Sequence, residues 1–141
     1  VSGHSAGGHL TGMLLATDWA GQYGLPADLI KLACPISGLF DLAPFPYSWL
    51  QPSLQLDWAE VRRSSPMFLA PTSRPKIVVA VGGLESAEFH RQSLDYVAML
   101  RADGHEPAYL DLAGRNHFTV TDELAAGGAL HQAIVQGMTK P

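Results

Sequence analysis

The run Gly3-His4-Ser5-Ala6-Gly7 constrains this chain more than any other stretch, because Gly-x-Ser-x-Gly marks a sharp strand-to-helix turn with an exposed serine at its tip. Glycines at 3 and 7 are expected where the strand and helix backbones pass closest, and the turn forces an unusual conformation on the serine itself. Downstream, Leu10, Met13, Leu14 and Thr17 recur at i, i+3, i+4 and i+7, with Leu15 and Trp19 widening the apolar surface. That spacing predicts a mostly buried helix over about residues 6–19. Ser5 then stands at a helix N-terminus, where unpaired N–H groups and the helix dipole favour negative charge, and the Ala6 N–H is the candidate oxyanion donor. Only Val1 and Ser2 precede Gly3, and the first residue is not Met. A turn of this kind needs a longer buried strand before it, so the sequence is expected to be the C-terminal part of a longer polypeptide.

The remaining pattern predicts an α/β protein. Lys76-Ile77-Val78-Val79-Ala80-Val81-Gly82 is a β-branched run closed by a second glycine, Gly83, and reads as a buried parallel strand whose C-terminal end carries Glu85. Residues 30–36, around the lone Cys34, and residues 107–112 read as further strands. Glu88, Phe89, Leu94, Val97 and Leu100 trace a helix after Glu85 that stops at Gly104. The loop 113–118 delivers His117 just before a last helical stretch at about 120–136. Open parallel sheets bind ligands beyond the C-terminal ends of their strands, where Ser5, Glu85 and His117 are expected to gather.

Those three residues occur in the order nucleophile, acid, base. In such an arrangement His117 takes the proton of Ser5 and returns it to the leaving group, while Glu85 fixes the imidazole tautomer and stabilises the imidazolium. Glu88, Asp111 and Asp95 are the less favoured carboxylates for the acid role, and Glu85 could instead serve only to cap the helix that follows it.

Four blocks, Gly3-His4-Ser5-Ala6-Gly7-Gly8-His9-Leu10, Ser37-Gly38-Leu39-Phe40-Asp41-Leu42, Glu85-Ser86-Ala87-Glu88-Phe89-His90-Arg91-Gln92-Ser93 and His117-Phe118, resemble the kynurenine formamidase (arylformamidase) branch of the α/β-hydrolases. The spacing between blocks matches as well, over almost the whole chain. The Glu88-to-Ser93 segment is the more specific part, since hormone-sensitive-lipase-like esterases share the serine turn. The resemblance implies an α/β-hydrolase fold without its N-terminal strands, residues 1–141 forming the C-terminal portion of one catalytic domain. It further implies a Ser5-Glu85-His117 triad that hydrolyses N-formylkynurenine to kynurenine and formate without a cofactor. A carboxylesterase acting on short acyl esters with the same triad is the alternative, and a non-catalytic hydrolase-like remnant is the third reading. Two departures stand out: family members usually carry Asp where this chain has Glu85, and no His-Gly-Gly stretch supplies a second oxyanion donor. Lacking that donor, the segment is expected to be inactive by itself.

Composition adds limits. With 141 residues, 47% of them hydrophobic and 16% charged, the chain can bury one core. A net charge of −4 without a basic cluster argues against a nucleic-acid or membrane partner, and the hydrolase reading leaves a small-molecule substrate as the expected one. Cys34 reads as a small buried hydrophobe, compatible with a reducing, cytoplasmic compartment. His4 and His9 lack ligand partners at metal spacing, so no metal is expected and both read as structural. His90 reads as part of the local scaffold, with His105 and His131 expected at the surface. Pro44, Pro46, Pro52, Pro66, Pro71 and Pro75 make residues 38–75 irregular, and Phe40, Tyr47, Trp49 and Trp58 could form an aromatic wall there. Phe40 and Asp41, following a strand end, are the first candidates for contact with a planar aryl substrate.

Overall fold

The computed structural model describes residues 1–139 and, among them, places four strands: β1 (Ser2–His4), β2 (Leu32–Ile36), β3 (Lys76–Gly82) and β4 (Ala108–Leu112). They form a parallel sheet in the order β1-β2-β3-β4, with Ser2 opposite Cys34, Ile36 opposite Ala80 and Gly82 opposite Leu112. The helices are α1 (Ala6–Ala16), α2 (Trp19–Tyr23), α3 (Gln51–Leu54), α4 (Trp58–Arg63), α5 (Ala87–Ala102) and α6 (Ala129–Thr139). Short 3-10 turns occupy Phe45–Tyr47, Pro66–Phe68 and Thr119–Leu124.

Strand periodicity explains how the sheet acquires two apolar faces. Successive side chains point to opposite sides, so Ile77 and Val79 of β3, with Ala33 of β2, meet Leu15 of α1 and Tyr96, Val97 and Leu100 of α5. On the reverse side Val78, Ala80, Leu32, Cys34 and Ile36 meet Leu112, Val120 and Leu130 of α6. Both faces are covered, which is why β2 and β3 read as continuous hydrophobic runs rather than as alternating ones. Parallel pairing then puts the C-terminal ends of all four strands on one rim. Ser5 follows β1, Ser37 follows β2, Glu85 lies three residues beyond β3, and His117 lies in the loop after β4.

The structure departs from the sequence pattern in several places. The helix expected over 6–19 stops at Ala16, because Thr17 turns extended and Asp18 caps a separate helix, accepting a hydrogen bond from the Gly21 N–H at 2.9 Å. The last helical stretch is divided at Gly127, whose φ is 90°, leaving a 3-10 turn before α6. The proline-rich stretch carries more order than expected. Asp57 and Glu60 form a reciprocal capping box at the start of α4.

The glycine assignment at the serine turn also needs correction. A Cβ on Gly3 would lie 2.2 Å from the Gly7 carbonyl oxygen, whereas a Cβ on Gly7 would meet nothing within 4 Å. The second crowded glycine is Gly8, where a Cβ would fall 2.7 Å from Cα of Gly38 as α1 crosses the end of β2. His105, expected at the surface, is buried, with Nε2 3.2 Å from the Asp103 carboxylate.

Candidate active site

Ser5 sits at φ 57° and ψ −115°, a conformation L side chains rarely adopt. It is held there from both sides. Its N–H donates to the Ile36 carbonyl at 2.9 Å, and its own carbonyl accepts the His9 N–H at 3.0 Å to begin α1. The hydroxyl makes no capping bond to the helix, which leaves Oγ free to point across the rim. Oγ lies 3.0 Å from Nε2 of His117. The Ala6 N–H opens the first turn of α1 directly beside it, among the groups that have no acceptor within the helix.

His117 is presented by the loop after β4, and its Nδ1 lies 2.6 Å from Oε2 of Glu85. With Nδ1–H donated to that carboxylate, Nε2 carries the lone pair that accepts the Ser5 hydroxyl. The two loops involved are stitched together by the backbone: the Gly83 N–H donates to the Leu112 carbonyl and the Leu84 N–H to the Arg115 carbonyl, each at 2.9 Å. Gly82 makes that approach possible, since a Cβ there would be 2.6 Å from the Arg115 carbonyl oxygen.

The Glu85 side chain has no exposure, while that of His117 is 26% exposed. A buried carboxylate must have its lone pairs filled. Oε2 takes His117, and Oε1 accepts the Gly82 N–H at 2.8 Å and the Ser37 hydroxyl at 2.5 Å. The extra methylene of Glu relative to Asp is absorbed by folding the side chain back onto the turn it springs from.

Aromatic rings box the imidazole. His4 and Phe89 each lie 4.5 Å from His117 between ring centroids, and Phe118 stands edge-on at 5.9 Å. Burial, and then the charge of His117, push the His4 pKa below its ordinary value, and among the described residues its buried Nε2 has no hydrogen-bond partner. Beside Phe89 opens an apolar cavity of about 250 Å³ lined by Leu39, Pro44, Phe45 and Leu50, with Glu88 and Gln92 on its wall.

The other candidates lie elsewhere. Glu88 and Asp95 both pair with Arg91, at 2.7 and 2.9 Å, and Asp111 is exposed on β4. Phe40 does not line a substrate wall. Its ring is wholly buried and stacks on Tyr96 with centroids 4.1 Å apart, because the chain after β2 tucks beneath Gly38 into the core. Asp41 is not free to meet a ligand either: one oxygen accepts the Ala43 N–H at 2.9 Å and the other pairs with Arg91 at 3.2 Å. Tyr47 and Trp49 project into solvent. His9 is structural, its Nε2 bonded to the Ser64 carbonyl oxygen at 2.7 Å.

Two residues at the site had no role in the sequence reading. Ser37 was visible only as part of a family block, although a serine directly after a predicted strand on the same rim is a usable signal. Gln92 accepts the N–H groups of Phe40 and Asp41 at 2.7 and 3.0 Å and donates to Glu88, tying the post-β2 loop to α5. Among the described residues no group of three or more His, Cys, Asp or Glu could hold a metal ion, and no helix is long and apolar enough to cross a membrane.

No protein-family model matches the chain. Curated proteins do, among them kynurenine formamidase of Salmo salar, 37% identical over 99% of this chain and 49% of its own length, and that of Danio rerio, 35% identical over 88% and 43%. The chain therefore spans about half the length of these relatives. Among solved structures, a candidate thioesterase of Silicibacter sp. TM1040 superposes with a TM-score of 0.81 at 26% identity, covering 96% of this chain and 49% of that one. An esterase/lipase from an uncultured bacterium gives 0.63 at 24% identity, covering 96% of this chain and 49% of that one. The parallel sheet, its helices and these relationships together show that the chain has the α/β-hydrolase fold and is, along nearly all of its length, a homologue of the kynurenine formamidases.

Proposed function

We propose that the chain carries the nucleophile, base and acid of a serine hydrolase that cleaves an aryl formamide, N-formylkynurenine, to kynurenine and formate. The observation that carries this reading is the unbroken hydrogen-bonded line from Ser5 Oγ through His117 to Glu85, at 3.0 and 2.6 Å. Ser5 Oγ attacks the formyl carbon as Nε2 of His117 accepts its proton. The carbonyl oxygen gathers negative charge beside the Ala6 N–H at the positive end of α1. His117 then passes the proton to the departing aryl amine, leaving a formyl ester on Ser5. Water, deprotonated by the same imidazole, releases formate and restores the hydroxyl. Glu85 stays ionised and holds the ring in the tautomer both half-reactions need.

The apolar cavity beside Phe89 supports an aryl group as the part of the substrate that is held without reacting. The identity to proteins named kynurenine formamidase supports the formyl amide as the reacting part. A carboxylesterase acting on short acyl esters is the second reading, favoured by the fold match to a candidate thioesterase at 26% identity. The test is to assay the full-length protein that contains this chain on N-formylkynurenine and on p-nitrophenyl acetate, wild type against Ser5→Ala, together with labelling by a fluorophosphonate probe. The proposal expects a higher kcat/KM on the formamide, and loss of both turnover and label in Ser5→Ala. A preference for the acetyl ester selects the second reading, and an unlabelled wild-type serine rejects both.

A further inference from the structure

We infer that Ser37 is the positioning residue of the catalytic acid: its hydroxyl, held by a left-handed backbone turn at the end of β2, fixes the Glu85 carboxylate and sets how strongly that carboxylate acts on His117. The inference rests on the triad reading above and adds a fourth member to it.

Three observations lead here. The first is geometric. Ser37 Oγ is 2.5 Å from Oε1 of Glu85, across 48 residues of sequence, and Ser37 itself is wholly buried. The second is conformational. Ser37 has a φ of 47°, one of only three positive values among described residues other than glycine, and another of the three is the nucleophile Ser5. A left-handed conformation is strained for a non-glycine residue and persists only where its surroundings impose it. Here the Ser37 N–H donates to the Ala80 carbonyl of β3 at 2.7 Å while the side chain turns to the acid loop of the same strand. Glycine would satisfy that backbone without strain, so the hydroxyl is the reason for a serine at this position. The third is chemical. The Glu85 carboxylate has no exposure and, among the described residues, no cation partner besides the His117 ring, so its charge relies on the Ser37 hydroxyl and the Gly82 N–H at Oε1.

The consequence concerns both position and basicity. Glu has one more rotatable bond than Asp, and without a clamp its carboxylate can swing away from Nδ1. The Gly82 N–H holds Oε1 from the side of its own turn, and Ser37 holds it from the neighbouring strand. Donation from the hydroxyl also withdraws charge from the carboxylate. Removing it makes Glu85 a stronger acceptor, favours the imidazolium form of His117 and raises the pH at which the base becomes competent. The other titratable group facing the imidazole is His4, from β1, whose protonation burial opposes.

The test compares Ser37→Ala and Ser37→Gly with wild type in the full-length protein that contains this chain, measuring kcat, KM, the acid limb of kcat/KM against pH, thermal stability and fluorophosphonate labelling. Both variants are expected to lose about 10- to 100-fold in kcat, as when a group orienting a catalytic ligand is removed, with KM changed by less than about threefold. The acid limb shifts to higher pH in both. Ser37→Gly is expected to melt no lower than Ser37→Ala, because glycine relieves the left-handed strain, yet to be no faster. Wild-type kcat and an unmoved acid limb in the variants would overturn the inference, as would a rate that tracks thermal stability and returns with glycine. If the wild-type serine takes no label at all, the triad reading falls and this inference falls with it; a labelled wild type with indifferent Ser37 variants removes Ser37 alone.

Discussion

The ring of His4 lies against that of His117, centroids 4.5 Å apart and planes tilted by 44°. The residue just before the proposed nucleophile thus packs directly on the proposed base. His4 is held neutral, since burial and the neighbouring imidazole both oppose its protonation. In the unfolded chain its pKa returns to about 6.5. The unfolded state then binds the extra proton first, so His4 contributes nothing to the pH dependence above that value and lowers stability progressively as pH falls below it. His105, also pushed down by burial, acts in the same direction. The His4→Phe variant should therefore lose less stability than wild type between pH 7.5 and 5.5 in denaturant titrations. An equal loss would show that His4 takes up its proton in the native state.

Replacing Glu85 separates charge from shape. Glu85→Gln keeps the volume but offers an amide where Nδ1–H needs an anion, which favours the wrong histidine tautomer. A loss on the order of 10⁴-fold in kcat is expected, as for the equivalent change in a serine protease triad. Glu85→Asp keeps the charge but shortens the reach to both Ser37 and His117, and displacement of about 1 Å is worth on the order of 100-fold. The ranking Glu > Asp > Gln in kcat, at little-changed KM, is the outcome to check by steady-state kinetics.

The glycines of the serine turn should behave oppositely. Gly7→Ala puts a methyl into open space on the first turn of α1. It should leave activity intact and stabilise by about 0.5–1 kcal/mol through helix propensity. Gly3→Ala and Gly8→Ala press a Cβ against backbone at 2.2 and 2.7 Å, and neither neighbour is a flexible side chain. Both should lower the melting temperature and the labelling rate of Ser5 together.

Gln92 ties together the loop that Phe40 and Asp41 begin. Its amide oxygen satisfies two backbone N–H groups, and Gln92 itself is only 2% exposed. Gln92→Leu strands those donors, at about 1–3 kcal/mol for each buried unpaired group. The expected loss for the two donors is about 2–6 kcal/mol in chemical denaturation. A change below about 0.5 kcal/mol would mean that water replaces the amide.

What the sequence discloses depends on range. β3 was readable to the residue because a strand buried on both faces has a composition of its own, Ile77 to Val81, and needs no partner to be recognised. The rim position of Ser5, Glu85 and His117 follows from the same logic, since each stands just beyond a predicted strand. Phe40 shows where that logic stops. It too follows a strand, but whether a chain leaving β2 turns outward or under the sheet depends on Gly38 and on a stacking partner, Tyr96, 56 positions away. Ser37 was opaque for a related reason: its role arises from a positive φ and a long-range hydroxyl contact, and neither leaves a periodic trace. At the turn itself, Gly7 belongs to the motif and Gly8 to the packing, a distinction that only the approach of α1 to Gly38 reveals.

Because each of the four strands delivers one member of the Ser5, Ser37, Glu85 and His117 set, the site samples the pairing of the whole sheet at once. A slip of one residue along any strand moves its member by about 3.3 Å and turns the strand's side chains to the opposite face. Hydrogen bonds of 2.5–3.0 Å cannot span such a gap. Molecules with one strand out of step would keep secondary structure and bulk compactness while losing the proposed activation of Ser5, so on that proposal covalent labelling of Ser5 doubles as a count of correctly threaded sheets.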